Sequence, residues 1–257
     1  QGYSSAASDV YKRQFMENQI EKNIEHLRNS QLFRGFTDDE IEKFLYNTKF
    51  KIFELNRGAI LNVELDKSIF VLYGSIASYE TNIDGVKTFI NHFEPDGNEL
   101  IAISLDTPYP TVSVEARKKS VVLSLETNSF LITDPSIIFL QNRVQQNIIS
   151  IFYRMTENVM QRIIANAESL SKNKIIKYLR QLKSEQKSDK LQIPFTRQEL
   201  ADHLQMDIST LMRELKSLQE SNVLTYEGKI ITILNIWHYY TSQKGSPNNG
   251  LPFKYGL

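Results

Sequence analysis

The stretch Thr196 to Leu234, TRQELADHLQMDISTLMRELKSLQESNVLTYEGKIITIL, constrains the fold more tightly than any other part of the chain. Thr196 is followed three residues later by Glu199, so the hydroxyl can accept from one free backbone amide while the carboxylate reaches back to another. That pattern predicts a helix starting at Arg197. Leu200, Ala201 and Leu204 give this helix one apolar face, after which Gln205-Met206-Asp207 breaks the period and offers Asp207 as a new N-cap. In the second helix, Ile208–Glu220, Leu211, Leu215 and Leu218 fall within a narrow arc, while Ser209, Arg213, Lys216 and Glu220 point the opposite way. Val223–Thr225 and Lys229–Leu234, joined through Tyr226-Glu227-Gly228, read as a small hairpin. Two helices, a tight turn and a hairpin make a winged helix-turn-helix.

One face of the second helix packs and the other is free to read a partner. Short hydroxyl side chains at a helix N-terminus, with an arginine one turn on, suit insertion into the major groove of double-stranded DNA. Ser209 and Arg213 are the expected base readers with Thr210 beside them, since arginine meets guanine by a two-point contact. Ile208 is apolar and suits a thymine methyl, while Lys216, Arg197 and Lys229 are the candidates for phosphate. The competing reading is a three-helix core with an ordinary charged outer face, and the hairpin weighs against it.

The segments TRQELADHL and STLMREL, and a wing built around Glu227-Gly228-Lys229, resemble the DNA-binding domain of the Crp/Fnr superfamily of bacterial transcription regulators. The likeness extends more weakly over residues 32 to 234, where LFRGFTDDEIEKFL and FVLYGSI are similar to the entry and inner-glycine strand of the family's β-roll. The resemblance implies an α+β chain: an N-terminal double-stranded β-helix (jelly-roll) effector domain, a long dimerisation helix and a C-terminal winged helix-turn-helix domain. It also implies a homodimer, an operator that is an imperfect inverted repeat, a small-molecule effector and contacts to RNA polymerase, the last without a readable motif. The family often has an arginine where this chain has Ile208, so its usual half-site does not carry over.

The rest of the chain fits this division. Residues 1–15 lack apolar periodicity, precede Met16 and are expected to be a leader foreign to the natural chain. Residues 16–135 are assigned to the roll. Ile20, Ile24 and Leu27 predict a short helix over Glu17–Arg28, and Thr37 with Glu40 caps a second one. From Lys49 the period changes to two, with Phe50 and Ile52 followed by runs at Ile69–Leu72, Ile76–Tyr79 and Thr88–Phe93. Gly58 and Gly74 punctuate these runs, Asp84-Gly85 reads as a hairpin turn, and Glu115–Ser120 reads as a charged turn. Residues 136–169 form the dimerisation helix, where Val144, Ile148, Ile151, Met155, Val159 and Ile163 recur three and four apart, a seam that calls for a partner helix. The alternative is a helix lying only on its own roll. A hinge at Ser169–Ser171 leads into the DNA-binding domain, 170–236, and residues 237–257, rich in Gly, Pro and Asn, form an irregular tail.

The resemblance also locates a pocket and a departure within it. Cyclic-nucleotide-binding members have a Gly-Glu pair followed some ten residues later by Arg-Ser or Arg-Thr. Here the matching positions are Asn98, Glu99 and Leu100, then Pro110 and Thr111. A buried phosphodiester wants a guanidinium and backbone amides in place of lost water; Pro110 has neither charge nor amide hydrogen. The expected signal is therefore not cyclic AMP. A nucleotide-responsive regulator with a remodelled cassette is the second reading.

Composition supplies the exclusions. The chain has no cysteine, which rules out disulfides and thiolate-held iron–sulfur clusters. Its net charge is zero, yet residues 1–169 hold 17 basic against 22 acidic side chains, and residues 170–234 hold 11 against 8. A cupin-like metalloenzyme, the third reading, needs several ligands pointing into one barrel, and only His92 falls among the strand runs of the roll. No phosphate-binding glycine loop, nucleophile elbow or zinc-protease motif is present. The expectation is a cytoplasmic, non-enzymatic protein with no cofactor, no metal and no membrane segment.

Overall fold

The computed structural model describes residues 2–61, 66–95, 98–103, 113–131 and 134–235, with side chains described from residue 14 onward. Thr111, Pro110, most of the loop from Asn62 to Lys67 and the tail beyond residue 235 lie outside the described residues. The chain divides into two compact units, Gln1–Met160 and Gln161–Leu257.

The first unit opens with α1 (Gly2–Asn29), a single 3-10 turn (Gln31–Phe33) and α2 (Asp38–Tyr46). Helix α1 extends well beyond the predicted Glu17–Arg28. Residues 3–15 contain neither Gly nor Pro, so a helix nucleated by the packed turns of Ile20 and Leu27 propagates through them at one hydrogen bond per residue. Thr37 caps α2 as expected, with both halves of the capping box formed: Glu40 N–H donates to the Thr37 hydroxyl and Thr37 N–H to the Glu40 carboxylate.

Among the described residues eight strands follow: β1 (Phe50–Leu55), β2 (Ile60–Leu61), β3 (Lys67–Tyr73), β4 (Ile76–Thr81), β5 (Lys87–Phe93), β6 (Leu100–Ile103), β7 (Ser113–Ala116) and β8 (Ser120–Glu126). They form two four-stranded antiparallel sheets, ordered β1-β8-β3-β6 and β2-β7-β4-β5. Strand β3 shows how the sheets are buried. Ile69 and Val71 join a core shared with Ile76, Phe93 and Val114 of the other sheet, while Phe70 and Leu72 join one formed with Leu27, Phe33 and Phe44 of the helical segment. A strand covered on both faces reads as a continuous apolar run, which is why Ile69–Leu72 shows no alternation.

Two strands flank the segment expected to be a charged turn. Glu115 lies in β7, paired with Ile60 and Ala77, and the turn is confined to Arg117–Lys119. Gly74, at φ +98°, allows β3 to pass β8 closely: a Cβ there would stand 2.2 Å from Ser120 Oγ. Helix α3 (Asn128–Leu131) leads to α4 (Ile138–Asn166), whose C-terminal end belongs to the second unit.

The second unit contains α5 (Ser171–Gln186), β9 (Lys190–Gln192), α6 (Arg197–His203), α7 (Ile208–Glu220), β10 (Leu224–Glu227) and β11 (Ile230–Ile233). The helix break spans residues 167–170, and Ser171 already belongs to α5. Leu200, Ala201, Leu204, Leu211, Leu215 and Leu218 are all buried, together with Ile175, Ile176 and Leu179 of α5. The turn of the wing is tighter than its sequence suggests. Glu227 pairs directly with Ile230, so the turn is Gly228-Lys229 alone, with Gly228 in the left-handed region that such turns require. Strand β9 was not legible: three residues with one inward side chain, Leu191, carry no period, yet they complete a sheet ordered β10-β11-β9.

Candidate nucleic-acid interface

The start of α7 is built around Asp207. Its carboxylate accepts from Thr210 N–H at 2.7 Å and from the Thr210 hydroxyl at 2.8 Å, and it also accepts from the Ser209 hydroxyl. These donors, the Ser209 hydroxyl foremost, hold the Asp207 carboxyl far below the usual carboxylate range, so it is ionised at neutral pH. Ile208, Ser209, Arg213 and Lys216 are exposed and Thr210 is half-buried. Arg213 makes only long contacts, 3.4 Å to Glu214 and 3.5 Å to Thr210 Oγ1, and Lys216 stands 3.9 Å from Glu220. Exposed pairs of this kind contribute about 0–1 kcal/mol, so both cations can exchange partners at little cost.

Arg197 is placed differently from the expectation. It is half-buried, donates from Nη2 to the Gly228 carbonyl at 2.6 Å, and its guanidinium lies over the Tyr226 ring at 5.4 Å. Burial pulls its pKa down. The side chain therefore ties the start of α6 to the wing turn rather than standing free for a phosphate. Lys229, next to Gly228, is exposed at the tip of that turn.

The expected effector residues do not form a ligand cassette among the described residues. Glu99 is fully buried, and its carboxylate accepts from the Ser30 hydroxyl at 2.8 Å, Leu32 N–H at 2.9 Å and Gln31 N–H at 3.1 Å. It faces the helical segment between α1 and α2, not the space between the sheets. Burial pushes its pKa up in spite of these donors. Leu100 is part of the apolar core on the same side, and Asn98 Nδ2 donates to the His92 carbonyl. The same 30–34 segment is tied to α4: Asn147 donates to the Leu32 and Arg34 carbonyls at 2.9 and 3.1 Å, and Arg154 donates to Gln31 Oε1 at 2.9 Å. No fixed sequence spacing announces that pairing of Glu99 with Ser30, across 69 residues.

The seam on α4 is also corrected. Val144, Ile148 and Ile151 are buried in their own chain's core, and Met155 packs against it. The helix turns other apolar residues outward: Ile149 is 67% exposed, Tyr153 69% and Met160 54%, with Phe152 and Val159 alongside. Of the six residues expected at a partner interface, only Val159 and Ile163 are exposed. Among the described residues no three His, Cys, Asp or Glu side chains could hold one metal ion, and no helix is long and apolar enough to cross a membrane.

A sequence profile of the Crp-like helix-turn-helix domain matches residues 173–237. No curated protein matches the chain. Among solved structures, a CooA mutant from Carboxydothermus hydrogenoformans is 13% identical with a TM-score of 0.63, covering 85% of this chain and 94% of its own. FixK2 from Bradyrhizobium japonicum is 14% identical with a TM-score of 0.57, over 77% of this chain and all of its own. A protein assigned to the Crp/Fnr family from Eubacterium rectale is 17% identical with a TM-score of 0.52, over 83% and 98%. The chain thus carries a Crp-like helix-turn-helix domain at residues 173–237 and has the mixed α+β fold of the Crp/Fnr transcription regulators.

Proposed function

We propose that the protein is a sequence-specific, homodimeric DNA-binding transcription regulator of the Crp/Fnr type. The observation that carries the reading is the two-sidedness of α7 within the Crp-like domain: Leu211, Leu215 and Leu218 are fully buried, while Ser209, Arg213 and Lys216 stand exposed, the two cations with only long contacts. A surface helix that keeps an arginine and a lysine free, beside a wing tipped by Lys229, suits the groove and the flanking phosphates of duplex DNA. The homodimer rests on the outward face of α4, whose exposed large apolar residues are best covered by a second copy of the same helix.

The signal in this reading is a small molecule other than cyclic AMP. Glu99, which matches the family's cassette glutamate, already accepts three hydrogen bonds from its own chain, and Pro110 cannot supply a charge to a phosphate. Such a regulator works in the cytoplasm, with RNA polymerase as a further partner. Selection of preferred duplexes from a random pool tests the DNA reading. Arg213→Ala should relax the choice at one base pair per half-site and weaken binding by about 1–3 kcal/mol per half-site. An unchanged motif and affinity would remove α7 as the reader.

A further inference from the structure

The hydrogen bonds at the start of α7 decide what kind of base edge it can read. An ionised carboxylate has no proton to give, so in the Asp207 contacts the protons belong to the Ser209 and Thr210 hydroxyls. Each hydroxyl owns one proton. With that proton directed at Asp207, Ser209 Oγ has only lone pairs to offer outward, and Ser209 is exposed. Thr210 Oγ1, half-buried, turns a lone pair toward Arg213 Nη2 at 3.5 Å and so lies behind the arginine rather than at the surface.

Resting on the DNA-reading assignment above, we propose that Asp207 sets the sense of the Ser209 contact, making it an obligate hydrogen-bond acceptor toward the major groove. In that groove adenine and cytosine present amino donors, whereas guanine and thymine present only acceptors at the matching edge. The strand that meets Ser209 should therefore carry adenine or cytosine at that position, because guanine or thymine would set acceptor against acceptor. For the same reason Ser209 cannot bind a phosphate oxygen, which is itself an acceptor. Serine alone does not discriminate in this way, since a free hydroxyl can either give or take; the selectivity comes from Asp207, which need not touch DNA.

Selection from random duplexes with the full-length chain and four variants tests the inference. Ser209→Ala identifies the base pair that Ser209 meets, and Arg213→Ala identifies a control position. The unaltered protein should favour adenine or cytosine over guanine or thymine on one strand at the Ser209 position, by about tenfold. Asp207→Gly removes the acceptor that holds the Ser209 proton, and Asp207→Ser removes its charge, while each leaves a residue suited to an N-cap. Both should flatten the preference at the Ser209 position and leave the Arg213 position intact. Loss of one negative charge raises affinity for all sequences alike and does not affect this readout. Guanine or thymine preferred at the Ser209 position, no position that depends on Ser209, or a preference that survives both Asp207 variants would overturn the inference while the regulator reading stands. If the unaltered protein selects no sequence at all, the regulator reading fails with it.

Discussion

Glu99 is the residue whose role is most sensitive to its surroundings. A buried carboxylate accepting three hydrogen bonds is stabilised as an anion by its donors and destabilised by lost hydration, and here the lost hydration is larger, raising its pKa. Between the ordinary glutamate range and the raised value the folded state binds the extra proton, so this group's contribution to stability is greatest in acid and is lost as pH rises. Glu99→Gln cannot titrate, and it buries an amide donor among donors, costing about 1–3 kcal/mol. Thermal melts should show the unaltered protein ahead of the variant at acid pH, with the gap narrowing as pH increases through the mildly acidic range. A gap that widens would mean that the anion is the stabilising form. The sequence points to Glu99 through its family position but not to its partners, because Ser30 and Glu99 are brought together by the packing of the helical segment on β6. Asp207 was legible as an N-cap from its place before an apolar period. Its hold on both neighbouring hydroxyls follows from Ser and Thr lying two and three residues on, a signal present in the sequence.

At the scale of elements, legibility depended on whether a pattern had one solution. The capping boxes at Thr37 and Thr196 and the inward leucines of α7 did, because local hydrogen bonds and a single apolar arc determine them. Helix α4 did not. It carries two apolar stripes about 130° apart, one through Val144, Ile148 and Ile151 and another through Ile149, Phe152 and Tyr153, and spacing alone cannot say which meets the roll. The structure turns the first inward and leaves the second exposed. Two substitutions one residue apart should therefore behave differently. Phe152→Glu should give a monomer by light scattering, with its secondary structure retained and a melt that no longer depends on protein concentration. Ile151→Glu should cost several kcal/mol through an unpaired buried charge and unfold the first unit. A Phe152→Glu protein that stays dimeric would remove the outward face of α4 as the interface.

At the scale of the whole molecule, the even overall charge conceals a division of labour: the acidic excess lies in residues 1–169 and the basic excess in 170–234. The DNA affinity proposed here must then come from a few named cations rather than from bulk charge, so it should depend on salt only modestly. Two copies of α7 related by a dimer axis would enter major grooves about 34 Å apart, which makes the operator an imperfect inverted repeat. Lys216, exposed and held by Glu220 only at 3.9 Å, is expected to meet a phosphate in each half-site. A phosphate contact releases condensed counterions, whereas a base contact releases almost none, so the two can be separated by titrating salt. Lys216→Ala should weaken all sequences alike and reduce the slope of log affinity against log salt by about one per protomer, leaving the selected motif unchanged. A Lys216→Ala protein with the original slope but an altered motif would place this lysine on a base edge instead, and with it move the reading surface one turn further along α7.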